Sequence, residues 1–150
     1  MNAETLATKR VSDVIAALSH LADVLARENR ALRDHDRAAL KELTEEKATA
    51  ARAYEAKVEA MKDAGEALAG IDDDLRQRLA GIGERATGLM IENERLLRIA
   101  METGRHLMEA IVNAAKDMNI GPGTYSRGGN VASSSRQTTA AASLSLDRSL

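Results

Sequence analysis

The chain has no cysteine, no tryptophan and no phenylalanine; its only aromatics are two tyrosines, and its only proline is Pro122. Without cysteine there is no disulfide framework, no thiol nucleophile and no thiolate metal site. Without aromatic bulk, a core must be assembled from Leu, Ile, Val, Met and Ala, which suits thin helix-on-helix packing. Without a proline before position 122, nothing forces a break in a helix upstream of it. No segment approaches the roughly 18 apolar residues of a membrane span, and the N-terminal MNAETLATKR has no apolar signal region. Together these features predict a cytoplasmic protein with no stable membrane insertion. An excess of one charge is also missing. Charged residues make up 29% of the 150 residues and the net charge is −2, with the signs interspersed. That is the pattern of a solvated helical surface, and it excludes the basic footprint of a nucleic-acid partner.

The residues needed for catalysis are equally sparse. His20, His35 and His106 are scattered, and they share no helical face with one another or with a carboxylate pair at ligand spacing. Asp72, Asp73 and Asp74 suit the positive end of a helix dipole better than a cation site. Gly81-Ile82-Gly83 lacks the third glycine and the preceding strand of a dinucleotide loop, and the glycine-rich run from Gly121 to Gly129 has no Lys-Ser/Thr pair. No nucleophile–base pair, metal site, cofactor site or small-molecule substrate site emerges. The expectation is a protein that binds other proteins, not an enzyme.

What the chain does have is helical periodicity. Leu75, Leu79, Ile82, Ala86, Leu89, Asn93, Leu96, Ala100, Thr103, Leu107, Ala110 and Ala114 occupy the two seam positions of a heptad repeat without a slip. Residues three and four apart share a helical face, so this is one long helix with a nearly continuous apolar seam. A second stripe runs beside it: Met90, Leu97, Met101, Met108, Ile111, Ala115 and Met118. One neighbouring helix covers one seam, so two stripes ask for a second partner.

The rest of the chain supplies two shorter helices. Val11, Val14, Leu18, Leu21, Leu25, Glu28 and Leu32 mark the seam of a first helix over about 3–33, with Asn2 or Thr5 placed to cap it. The seam loses phase at Arg33-Asp34-His35-Asp36, since Leu32 to Leu40 is one residue more than a heptad. Asp34 and Asp36 are good N-caps, which favours a short antiparallel connection over a single bent helix. A second helix over about 36–62 carries Leu40, Leu43, Lys47, Ala50, Tyr54 and Met61, and Gly65 is placed to end it. The third helix runs over about 72–118. Gly81, Gly83 and Gly88 weaken its beginning and allow a later start, near Glu84.

The fold class predicted is all-α: an antiparallel three-helix, coiled-coil-like bundle over 1–118 with a long last helix. Residues 119–150 are rich in Gly, Ser, Thr and Ala; they read as a flexible, disordered C-terminal tail, with a leucine-bearing docking segment at 143–150. At about 1.5 Å per residue the helices span roughly 45, 40 and 65 Å. The first two then cover about two-thirds of the third. The uncovered end holds Met101, Leu107, Met108, Ile111, Val112 and Met118, a methionine-rich face able to adapt to a partner's surface; the alternatives are that this end self-associates or that the tail folds back on it. Three seam residues break the apolar rule: Glu28, Lys47 and Asn93. In a hairpin turning near His35, Glu28 and Lys47 lie within about a turn of each other, close enough for a register-setting pair, and Asn93 is able to play the same part on the third helix. The alternative is that the seam frays there and these side chains reach water.

Leu25-Ala26-Arg27-Glu28-Asn29-Arg30-Ala31-Leu32, an Asp-rich turn, and then Leu40-Lys41-Glu42-Leu43-Thr44-Glu45-Glu46-Lys47 resemble the FlgN family of flagellar export chaperones. Gly123-Thr124-Tyr125-Ser126-Arg127-Gly128-Gly129 is similar to the tyrosine-glycine segment that follows the last helix in that family. The resemblance covers roughly 20–130. It implies a small, cytoplasmic, mostly helical chaperone that holds unassembled hook–filament junction (hook-associated) proteins and delivers them to the flagellar type III export apparatus. It implies that cargo, itself helical, binds the end of the long last helix and the adjoining tail. With the second stripe, the partner-binding residues become Leu97, Met101, Leu107, Met108, Ile111, Met118 and Tyr125. The long Ser/Thr/Ala tail and its terminal leucines depart from the family pattern. A homo-oligomeric coiled-coil scaffold, with seams paired between chains by self-association, is the competing expectation.

Overall fold

The computed structural model describes residues 2–119. Tyr125, the tail and the 143–150 segment lie outside the described residues. The elements are α1 (Ala3–Arg33), α2 (Arg37–Lys62), a 3-10 helix (Gly65–Gly70) and α3 (Asp73–Asn119). No strand occurs among the described residues, and the fold is all-α.

Local chemistry sets the helix boundaries. The Asn2 side chain accepts a hydrogen bond from the Thr5 backbone N–H at 2.8 Å and so caps α1. Arg30 and Arg33 occupy the last turn of α1, where cations complement the dipole. The turn that follows needs neither glycine nor proline. His35 takes a positive φ of 55°, and Asp36 caps α2 by accepting from the Ala39 N–H at 3.1 Å. Helix α2 stops at Lys62, with Asp63 as its C-cap. Gly65, placed by the sequence to end this helix, instead lies two residues past the cap. It adopts φ 51°, turning the chain into the 3-10 helix that the sequence pattern did not indicate. Helix α3 then starts at Asp73, with Asp73 and Asp74 in its first turn. Gly81, Gly83 and Gly88 are therefore interior to it. A Cβ at any of the three would meet no heavy atom within 4 Å, so close packing does not require them.

The chain divides into two compact units, Met1–Met101 and Glu102–Leu150. In the first unit α1 is the central element. Its buried residues include Val11, Val14, Leu18, Leu21, Ala22, Val24 and Leu25, too broad a band for a single neighbour. One cluster joins Leu18, Leu21, Ala22 and Leu25 with Leu43 and Ala50 of α2 and Ala86 of α3. A second joins Val11 and Ile15 with Leu75, flanked by Met61, Leu68, Ile71 and Leu79. Each large aliphatic side chain buried in this way contributes roughly 1.5–3 kcal/mol. The side-chain pairs fix direction. Asp13 meets Lys57 and Arg27 meets Glu46, so α2 runs antiparallel to α1. Asp23 meets Arg85 and Asn29 meets Asn93, so α3 runs parallel to α1. In the second unit, the described residues are the last part of α3.

Candidate functional site

Two features stand out: a buried polar layer in the first unit, and an exposed apolar face along α3.

The polar layer is built from the seam residues that break the apolar pattern. Glu28 is 2% exposed, Asn93 6% and the neighbouring Asn29 1%. Lys47 Nζ donates to Glu28 Oε1 at 2.9 Å and Oε2 at 2.7 Å, and reaches Asn93 Oδ1 at 3.4 Å. Asn93 Nδ2 donates to Glu28 Oε2 at 2.6 Å and to Asn29 Oδ1 at 2.9 Å. Asn29 Nδ2 in turn donates to the Leu89 carbonyl at 3.2 Å. The structure thus brings Glu28, Lys47 and Asn93 together, one from each helix. No buried side-chain polar atom among the described residues lacks a partner, which is the condition under which a charge can stay in such a place. Asn29 was missed by seam arithmetic because it lies one residue off the seam. The burial of α1 on two faces is what encloses it.

Other charged pairs join the helices. Arg27 grips Glu46 through two hydrogen bonds of 2.8 Å, and that contact lowers the Glu46 carboxyl and raises the guanidinium from their ordinary values. The Lys9 hydrogen bond, helped by the charge of Lys57, lowers Asp13. Arg33 pairs with Glu92. These groups lie at the surface, where such pairs add little stability individually.

The second feature follows α3. In the first unit Leu96 and Leu97 are half-buried, whereas Met90, Ile91, Ile99 and Met101 are exposed. Ile91 and Ile99 lie outside the sequence-level stripe. In the second unit Leu107 is 54% exposed, Met108 43%, Ile111 53% and Met118 83%. From Glu102 to Met118 only Val112 is even half-buried. Of the proposed partner-binding residues, Met101, Leu107, Met108, Ile111 and Met118 are thus exposed on a single helix, Leu97 is half-buried, and Tyr125 lies outside the described residues. Ordinary surface helices show isolated apolar side chains, not a repeated large-residue stripe.

The histidines need one correction. His106 does share a face with two carboxylates, Glu102 and Glu109, each at 3.8 Å. The three groups are all more than half exposed, and no cluster able to hold a metal ion occurs among the described residues. Nor is any described helix long and apolar enough to cross a membrane. Comparison with family models, with curated proteins and with solved structures finds no match.

Proposed function

We propose that this protein is a cytoplasmic export chaperone whose cargo is an amphipathic helix of the hook–filament junction proteins. The observation that carries the reading is the apolar stripe of α3 in the second unit, where Leu107, Met108, Ile111 and Met118 repeat at helical spacing and are all exposed. The mechanism is burial. A cargo segment destined for a coiled coil lays its apolar face against this one, is kept from aggregating, and is released at the flagellar export apparatus. Methionine suits the task because its unbranched, polarisable side chain repacks against different partners. The resemblance of residues 20–130 to FlgN chaperones names the cargo class; the exposed stripe supports a helix as its form.

Replacing Met108 by Asp tests the reading. A charge in the middle of a helix-binding face must be desolvated on binding, so cargo affinity should fall at least about 100-fold. Helix content should not change, because Met108 is exposed. Binding of a purified hook–filament junction protein that survives this substitution would place the site elsewhere.

A further inference from the structure

A heptad seam has a weakness: it repeats. Shift α3 by seven residues along the α1–α2 hairpin and the seam that meets it changes from Leu75, Leu79, Ile82, Ala86, Leu89 and Asn93 to Ile82, Ala86, Leu89, Asn93, Leu96 and Ala100. Beside Asn93 the first series holds four large aliphatic side chains and one alanine, and the second holds three and two. The glycines of α3 lower the cost of unwinding its first turns to permit such a shift. Apolar burial therefore separates the two arrangements by only about one large side chain.

We propose that the Glu28–Asn29–Lys47–Asn93 layer is a register lock, and that it weighs more than the apolar seam in deciding which heptad of α3 lies on the hairpin. In the observed register one Asn93 amide serves all three neighbours: it donates to Glu28 and Asn29 and faces the Lys47 ammonium with its oxygen. A shift of one heptad in either direction sets Ala100 or Ala86 opposite Glu28. Neither alanine offers a donor, so the carboxylate, 2% exposed, loses one of its partners and Asn29 loses another. In the first of these shifts Asn93 also moves into the layer now held by Ala86, which is 1% exposed in the apolar cluster with Leu18, Leu21 and Leu25, and so exchanges the Glu28 carboxylate and the Asn29 amide for a mainly aliphatic lining beside the half-buried Tyr54. A single buried asparagine specifying register is an established use of polar seam residues; here it is coupled to a buried ion pair contributed by the two other helices. One consequence rests on the chaperone reading: the lock fixes how much of the apolar length of α3 is taken up by the hairpin and how much is left for a partner. The register itself can be tested without any partner.

Because the chain has no cysteine, cross-linking reads the register directly. Asp23 pairs with Arg85 across α1 and α3 at 3.0 Å. Three double variants of the full chain report three registers: Asp23→Cys with Arg85→Cys for the observed one, and with Glu92→Cys or Arg78→Cys for a shift of one heptad either way. The probe is a bismaleimide shorter than the heptad displacement of about 10.5 Å. With Asn93 intact, only the 23–85 pair should link. With Asn93→Leu added, linking of 23–92 or 23–78 should rise at least about tenfold, because the feature that specified register is gone. A further background, Asn93→Ala with Ala100→Asn, moves the asparagine by one heptad, and the dominant link should move with it to 23–92. Linking confined to 23–85 in both backgrounds would overturn the lock. So would loss of helical circular dichroism in both, since the shifted arrangement would then not be a competitor.

Discussion

Glu28 and Lys47 form an ion pair whose two ends are unequally buried, and the inequality predicts an asymmetric response to mutation. The Glu28 side chain is 2% exposed, whereas that of Lys47 is 26% exposed. Lys47→Met deletes the cation and leaves the carboxylate enclosed with the Asn93 amide as its remaining partner. Removing one partner of a buried pair costs about 3–5 kcal/mol; the partial exposure of Lys47 places the expected loss toward 3. Glu28→Met removes the buried charge itself. The ammonium, already a quarter exposed, can turn to water, so this loss should be about 1 kcal/mol, mainly from the Asn93 amide left with Asn29 alone. The double variant, Glu28→Met with Lys47→Met, should recover most of the Lys47→Met deficit, since an apolar replacement of a buried pair is often neutral or stabilising. Urea unfolding followed by circular dichroism measures all three, with the denaturant midpoint read at constant slope. Equal losses in the two single variants, or a double variant no more stable than Lys47→Met, would refute the view that the carboxylate depends on Lys47 for its burial.

Other expectations follow from single features. Gly83→Ala should raise the unfolding midpoint by the equivalent of about 0.5–1 kcal/mol, since the new methyl meets nothing within 4 Å and the helix interior gains propensity. Gly65→Ala should do the reverse by about 1 kcal/mol, because φ there is 51° and an L side chain is strained in that region. Asp36→Ala removes the cap of α2 and should cost about 1 kcal/mol in the same urea assay. Asp13 and Glu46 have carboxyls held below their ordinary values by Lys9 and Arg27. Their contribution is therefore complete above the usual carboxylate range and is lost as pH falls through the lowered values. Midpoints measured from neutral to acid pH should decline, and Glu46→Gln should make that decline shallower.

Much of the architecture was legible because heptad arithmetic needs no tertiary information. It set α1, α2 and α3 on the sequence, and the same arithmetic made Glu28, Lys47 and Asn93 conspicuous as exceptions. It failed where structure depends on enclosure from two sides. Asn29 looks like a surface residue by periodicity, and is buried only because α2 and α3 both pack on α1. The 3-10 helix was illegible for a related reason: Leu68 and Ile71 have no period of their own, and find their place against Val11, Ile15 and Leu75. Gly81, Gly83 and Gly88 suggested a late start for α3. Propensity penalties of about 1 kcal/mol each are outweighed there by the burial of Leu75 and Ala86 and the packing of Leu79 and Ile82 against the core. The methionine stripe was readable, whereas the exposed Ile91 and Ile99 fall off the repeat and lie on other faces of α3.

The claim that α3 offers its apolar face to a helical cargo is tested most directly by sedimentation velocity of the full chain at micromolar concentration, alone and mixed with a purified hook–filament junction protein. The expected result is a monomer alone and a saturable complex in the mixture, with the complex absent for Met108→Asp. An obligate oligomer in which the amides of 102–118 are protected from hydrogen exchange, with no complex formed in the mixture, would contradict it.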